Sequence, residues 1–219
     1  MFTIIIQNMI IKYEYTKLVK KSIDPLLKTF GFKKRGNTYI KHLDEIAWVV
    51  DIQRSQWDTT EKVTFTINIG IYVPGLMSTY GGMREPEHPQ SSDCCVSVRI
   101  GKLLSNKDLW WEISNNDTTE RIDDLAAQVT DAIANYALPY LTNINGIADL
   151  IILFRTAVDG ESVQGVINNS FVSTAYLGIL YSLIHDHSSC CKYIAKSLEQ
   201  AGSKPGSQTV QQLSKILCN

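Results

Sequence analysis

The sequence predicts an α+β protein, in which an antiparallel sheet of about four strands packs on helices and a helical C-terminal segment follows. Three observations carry that reading. An eleven-residue run, Val63 to Val73, alternates strictly between apolar and other residues, which is the period of a strand. The runs around it also read as strands, with no helical pattern between them, so they join as antiparallel neighbours. From Thr119 onward the apolar spacing changes to the 3.6-residue period of helices.

The elements follow in order. Val19, Ile23, Leu26, Leu27 and Phe30 make one helical stripe, and Gly31 supplies its stop, because glycine tolerates the left-handed conformation after a last turn. Residues 38–41 read as a short strand. Ile46 to Arg54 is a second strand, with Trp48, Val50 and Ile52 on one face and Val49, Asp51 and Gln53 on the other. In the third, the odd positions Val63, Phe65, Ile67, Ile69, Ile71 and Val73 form a dry face. The even positions Thr64, Thr66, Asn68, Gly70 and Tyr72 form a polar one. Pro74 ends it, and residues 74–93 read as a long irregular loop. Cys94 to Ile100 alternates again as a fourth strand. Ile122, Leu125, Ala126, Val129 and Ile133 mark a helix opened by Asp117-Thr118-Thr119-Glu120, which resembles a capping box. Pro139 interrupts, 146–158 reads as another helix, and 172–218 as three more, with Gly202 to Gly206 as a turn. In these, Ala175 to Ile184 is nearly all apolar and hence central. Cys191, Ile194, Ala195 and Leu198 mark the next buried stripe, and Val210, Leu213, Ile216 and Leu217 the last. The expected organisation is an α+β domain over 1–155 and a helical C-terminal extension over 156–219.

Composition narrows the function classes. The chain has 219 residues, 44% hydrophobic and 20% charged, with a formal net charge of −1, a profile outside that of disordered chains. Its longest apolar run falls far short of the roughly 18 residues of a membrane helix, and Met1 to Ile6 lacks the basic leader and cleavage site of a signal peptide. Five cysteines, Cys94-Cys95, Cys190-Cys191 and Cys218, fit free thiols in a reducing cytoplasm better than a disulfide framework. Charge is segregated: residues 1–42 hold nine Lys/Arg against two Asp/Glu, whereas 108–131 hold seven acids and one arginine. Such a dipolar distribution can orient a charged partner.

If the apolar strand faces pack on helices, the opposite faces gather Asp51, Gln53, Asn68, Tyr72 and Arg99, with Ser55 and Trp57 just past a strand end. These seven are the candidate binding residues. They combine hydrogen-bonding groups with the Tyr, Trp and Arg types that dominate interfaces. The plain alternative is that they face water or pair across strands.

Other constellations carry less. His185-Asp186-His187 with Cys190-Cys191 offers zinc-ligand types, but residues two apart on a helix diverge, so no metal site is assigned. Cys94-Cys95 with His88 could supply a thiol and a base, yet alternation puts one cysteine in the core. No Gly-x-Ser-x-Gly elbow or phosphate-binding glycine loop is present, so no catalytic residue and no cofactor is assigned. The run Lys33-Lys34-Arg35 beside Phe32 and Tyr39 could stack on single-stranded nucleic acid, but the sequence pI of 6.4 argues against it. Trp110-Trp111 is expected to anchor the core edge, and Trp57 to be reachable.

Gly31-Phe32-Lys33-Lys34, Tyr39, Gln53-Arg54-Ser55-Gln56-Trp57, Phe65 to Tyr72, Cys95 to Gly101, Asp108-Leu109-Trp110-Trp111 and Leu138-Pro139 together resemble the bacterial domain-of-unknown-function family DUF4304, over about residues 15–155. The family has no established activity, so the resemblance implies fold more than mechanism. Small bacterial proteins of this kind often resemble immunity or other accessory proteins. The expectation is a cytoplasmic, bacterial protein-interaction module without membrane attachment, such as an immunity protein that binds and occludes a toxin. The alternatives are an enzyme or small-ligand binder on the polar sheet face, and a single-stranded nucleic-acid binder.

Overall fold

The computed structural model describes residues 11–166 and 170–218; the reading of Met1 to Ile6 lies outside them. A helix runs from residue 11 through a π-turn at Val19–Ile23 into Asp24–Thr29 (α1). Strands β1 (Lys33–Arg35), β2 (Thr38–His42), β3 (Ala47–Arg54) and β4 (Lys62–Tyr72) follow, then a short helix α2 (Leu76–Gly81). Next come β5 (Val96–Arg99), α3 (Ile100–Ser105) and β6 (Trp111–Ser114). A long helix α4 runs over Thr119–Ala132, a π-turn at Ile133–Ala137 and Leu138–Thr142. The chain continues with α5 (Ile147–Val158), α6 (Phe171–Leu183), α7 (His187–Ala201) and α8 (Ser207–Leu217).

The strands form an open antiparallel sheet in the order β1-β2-β3-β4-β5, with β6 also paired to β4. The register is Lys33↔Ile40 to Arg35↔Thr38 in the first pair and Lys62↔Ser114 to Phe65↔Trp111 in the last. The fold class is therefore the α+β one expected, with two strands more than the sequence suggested. Both extra strands are very short (three and four residues), at or below the least length over which a period of two can be recognised.

The chain groups into two compact units. One takes the residues up to His42, Trp48–Ile69 and Val98–Thr142; the other takes Leu43–Ala47, Gly70–Ser97 and the residues from Asn143 onward. In the first unit, the dry positions Val63, Phe65 and Ile67 of β4 are fully buried. Phe65 packs edge-on to Tyr15 of α1 and tilted on Trp111 of β6, with ring centroids 5.4 Å and 5.7 Å away. In the second, α6 lies centrally, its Ala175, Leu177 and Leu180 fully buried. Tyr176 stands edge-on to both Tyr80 and Phe154.

Several local expectations change. Gly31 ends α1 at φ +84° as foreseen, but Phe30 is exposed. Pro139 does not interrupt α4. Proline has no N–H to offer the carbonyl four residues back, and the helix widens just before it, with Leu138 N–H bonding the Ile133 carbonyl across a π-turn. Within 74–93, α2 and a 3-10 turn at Ser91–Asp93 occupy part of the expected loop. The buried stripe of α7 is Cys190, Ile194, Ser197 and Ala201, not the one through Cys191, Ala195 and Leu198. Buried Ser197 is accommodated because its hydroxyl donates to the Phe171 carbonyl at 2.6 Å.

The cysteine expectation is corrected too. Cys191 and Cys218 are joined as a disulfide, their Cα atoms 5.4 Å apart, while Cys94, Cys95 and Cys190 are not disulfide-bonded. Twenty-seven residues of sequence separation hid the pairing, which arises because α8 returns its C-terminus to the first turns of α7.

Candidate functional site

The polar face survives on one part of the sheet. Of the even positions of β4, Thr64 and Asn68 remain partly accessible, but Thr66 is fully buried, its hydroxyl donating to the Leu109 carbonyl at 2.7 Å. Gly70 lies against Cys94, whose Sγ would be 2.5 Å from an added Cβ. Tyr72, expected on the open face, is only 5% exposed, and its hydroxyl donates to the Glu85 carboxylate. Burial and that carboxylate both push the Tyr72 phenol up. Burial also pushes Glu85 up, but hydrogen bonds from Ser78, Tyr72 and the Gly75 and Ser78 backbone outweigh it and hold the acid low. Alternation correctly separated the two faces of β4; it could not show that segments from elsewhere in the chain cover one end of the second.

What remains open is a row of hydrogen-bonded side chains in the first unit. Asn68 Nδ2 donates to Gln53 Oε1 at 2.9 Å, and Arg99 Nε lies 3.5 Å from Asn68 Oδ1. Arg99 Nη1 stands 2.8 Å from both carboxylate oxygens of Asp108. Trp110 Nε1 donates to the same carboxylate at 3.0 Å, and the guanidinium sits 5.0 Å from the Trp110 ring centroid. The hydrogen bonds from Arg99 and then Trp110 hold Asp108 below the usual carboxylate range.

Sequence reasoning missed Asp108 and Trp110. Both stood inside a motif quoted above, but the Trp pair was read as one unit. The structure divides it: Trp111 is buried in β6, while Trp110 lies half-exposed beside Arg99. Gly101 makes the meeting possible. Its missing side chain leaves room for the Lys107 carbonyl and the Leu109 amide, which would stand 2.5 Å and 2.6 Å from an added Cβ.

Asp51 sits apart from the row, accepting from the buried Thr38 hydroxyl at 3.0 Å. Ser55 and Trp57 lie in the β3–β4 hairpin. Ser55 Oγ accepts from Trp57 N–H at 3.1 Å, and the Trp57 ring is 78% exposed. The hairpin is braced by Asp58, which accepts from Arg54 Nε at 2.8 Å and from Thr64 N–H at 2.7 Å.

The other candidates resolve differently. The Cys95 thiol is pushed up to about 12 by burial, Cys94 donates to the Gln90 carbonyl, and His88 lies beside Glu87. Lys28, Lys33, Lys34, Phe32 and Tyr39 line a cleft of about 370 Å³ together with Asp24. Asp24 takes Lys34 at 2.8 Å and also accepts from the Tyr39 hydroxyl, which offsets the local positive charge. His185-Asp186-His187 forms a corner between two helices. His185 adopts φ +62° after the end of α6, Asp186 caps α7 by accepting from Ser189 N–H, and His187 begins that helix.

Among the described residues, no single helix is long and apolar enough to cross a membrane. Residues 23–143, just over half of the chain, match the family described as Domain of unknown function (DUF4304). No curated protein and no solved structure gives a significant match.

Proposed function

Because the chain belongs to the family described as Domain of unknown function (DUF4304), whose description assigns no activity, we propose from its geometry that it is a protein-interaction module. The docking surface is the row Gln53, Asn68, Arg99, Asp108 and Trp110 together with the hairpin residue Trp57. The observation that carries this is the exposed Trp57 on a hairpin braced at both ends by Asp58. A large aromatic on a braced hairpin loses little backbone freedom on binding, which favours an interface anchor. The row in the same unit is hydrogen-bonded along its length. That suits a contact surface better than a reaction centre, which needs an acid, base or nucleophile free to act.

Charge supports the choice of partner. Asp108, Glu112, Glu120, Asp123, Asp124 and Asp131 are exposed, so a protein with a basic surface would be steered toward this acidic segment and away from the basic residues 11–42 of the same unit. The finer reading is an immunity protein that occludes a toxin by steric blockage in the bacterial cytoplasm, with no covalent step. Its support is the family resemblance together with this charge pattern.

The test is co-expression with the product of the neighbouring gene, followed by a titration of the purified pair. Trp57→Ala should weaken binding by at least about 30-fold, the loss expected of an anchor residue. Asp123→Lys with Asp124→Lys should slow association and reduce its salt dependence. Unchanged affinity in Trp57→Ala would remove the proposed surface. A neighbouring product that is neither toxic nor bound would remove the immunity reading.

A further inference from the structure

The start of α7 and the residue after α8 bring together three sulfurs that the sequence keeps in two places. We propose that the reduced chain binds a zinc-type divalent cation through Cys190, Cys191 and Cys218, with His187 as the fourth ligand. The site lies outside the DUF4304 match and is independent of the docking surface.

The geometry is the first argument. The Sγ atoms of Cys190, Cys191 and Cys218 all lie within 4.8 Å of one another. Tetrahedral zinc, with Zn–S near 2.3 Å and Zn–N near 2.0 Å, places its ligand sulfurs about 3.8 Å apart and a nitrogen about 3.5 Å from each sulfur. His187 Nε2 and Nδ1 stand 3.7 Å and 3.9 Å from Cys191 Sγ; the ring lies outside the cluster of the three sulfurs, so the exposed side chain must rotate inward to serve as the fourth ligand. His187 and Cys191 are four apart on one helical face, where side chains meet. Cys190 reaches the cluster from the buried side of α7, while Cys191 and Cys218 are half-buried. Sequence reasoning rejected this segment because His185 and His187 diverge and because adjacent cysteines rarely chelate one ion with good geometry. The first objection stands for His185, and Cys218 supplies the ligand it would have provided; against the second, the Sγ atoms of the adjacent pair and of Cys218 do converge to within 4.8 Å.

The chemistry is the second argument. Three thiolates and an imidazole form a closed structural zinc set. The first turns of α7 offer the positive end of a fifteen-residue helix to the thiolates. On loading, three S–H bonds break, three metal–sulfur bonds form, and three protons pass to solvent. The Cys191–Cys218 disulfide must first accept two electrons from a thiol or phosphine reductant, which becomes the corresponding disulfide or phosphine oxide. Disulfide and metal are thus alternative states of one cluster.

The full chain, reduced with a phosphine and freed of metal, should bind one Co(II) with the intense visible absorption of a tetrahedral thiolate site, and Zn(II) should displace it. X-ray absorption of the zinc-loaded wild type should count three sulfurs near 2.3 Å and one nitrogen near 2.0 Å, a readout that needs no variant to fold. Cys218→Ser should abolish the tetrahedral spectrum, and His187→Ala should weaken binding roughly tenfold or more. Failure of the reduced wild type to take up metal, undiminished uptake by Cys218→Ser, or a coordination shell without sulfur would overturn the proposal. Undiminished affinity in His187→Ala would overturn the four-ligand assignment.

Discussion

Gly101→Ala tests what brings Asp108 to Arg99. An added Cβ would stand 2.5 Å from the Lys107 carbonyl oxygen, 2.6 Å from the Leu109 amide nitrogen and 2.7 Å from Leu109 Cβ. The first two are backbone atoms, so no rotamer change relieves the clash. Overpacking of this kind costs about 1–3 kcal/mol, and rigid neighbours place it at the upper end. Alanine's better helix propensity returns at most about 1 kcal/mol. The net loss is about 2 kcal/mol, which for a chain of this length lowers Tm by roughly 4–8 °C. Displacing residues 107–109 should also break the bond from the buried Thr66 hydroxyl to the Leu109 carbonyl and part the Arg99–Asp108 pair. Urea titration and thermal melting measure the loss. Gly81→Ala is the control, because its Cβ would meet nothing nearer than Met83 Cγ at 3.7 Å, and it should stay within about 0.5 kcal/mol of wild type. A Gly101→Ala chain as stable as wild type would show that the 107–109 segment is free to shift and that Gly101 does not position Asp108.

Two further outcomes follow from the same structure. Asp108, held low chiefly by Arg99 and then by Trp110, stabilises the fold above its unfolded value near 3.8, and that contribution disappears as pH falls through the lower folded value. With the carboxylate half-exposed, Asp108→Asn should cost no more than about 1 kcal/mol at neutral pH. Its deficit relative to wild type should shrink as denaturation is repeated below about pH 4, and a deficit constant with pH would refute the assignment. Glu45→Ala should destabilise by about 1 kcal/mol in the same melts, because Glu45 Oε2 accepts the otherwise open Ile147 N–H at 3.0 Å at the start of α5; Glu45→Gln, which keeps an acceptor oxygen there, should recover most of it.

The legible parts of this chain were those set by local pattern. The dry face of β4, the Gly31 stop, the Thr118 cap accepting from Arg121 N–H and the three C-terminal helices are each encoded within a few residues. Less legible was whatever depends on segments distant in sequence. Tyr72 reads as outward-facing until Glu85 is placed beside it, and Cys191 reads as a free thiol until α8 returns Cys218 to it. In α7 the stripe was assigned one residue out because Cys191 and Cys190 are equally apolar neighbours, and only the packed structure shows which one faces inward. For the candidate site, the sequence supplied Gln53, Asn68, Arg99 and Trp57. Asp108 and Trp110 were missed because their role depends on the tight approach at Gly101, which no periodicity records.

The Arg99–Asp108 pair also bears on why the row suits binding. An exposed ion pair contributes about 0–1 kcal/mol to a fold, too little to account for the glycine, the tryptophan stack and the asparagine bridge that orient this guanidinium. Their combined effect is to fix Arg99 before any partner arrives, so that little side-chain entropy remains to be lost on docking. Covered by a partner, the same charges lose water and interact more strongly with each other. Desolvation penalises such a pair unless its hydrogen bonds stay satisfied, and here Asn68 and Trp110 already satisfy part of that need. On the proposed reading, a partner would therefore need to supply only the remaining acceptors for the guanidinium. Arg99→Lys should then lose more affinity than retention of charge alone would suggest, because an ammonium has no second nitrogen to reach toward Asn68 while the first holds Asp108.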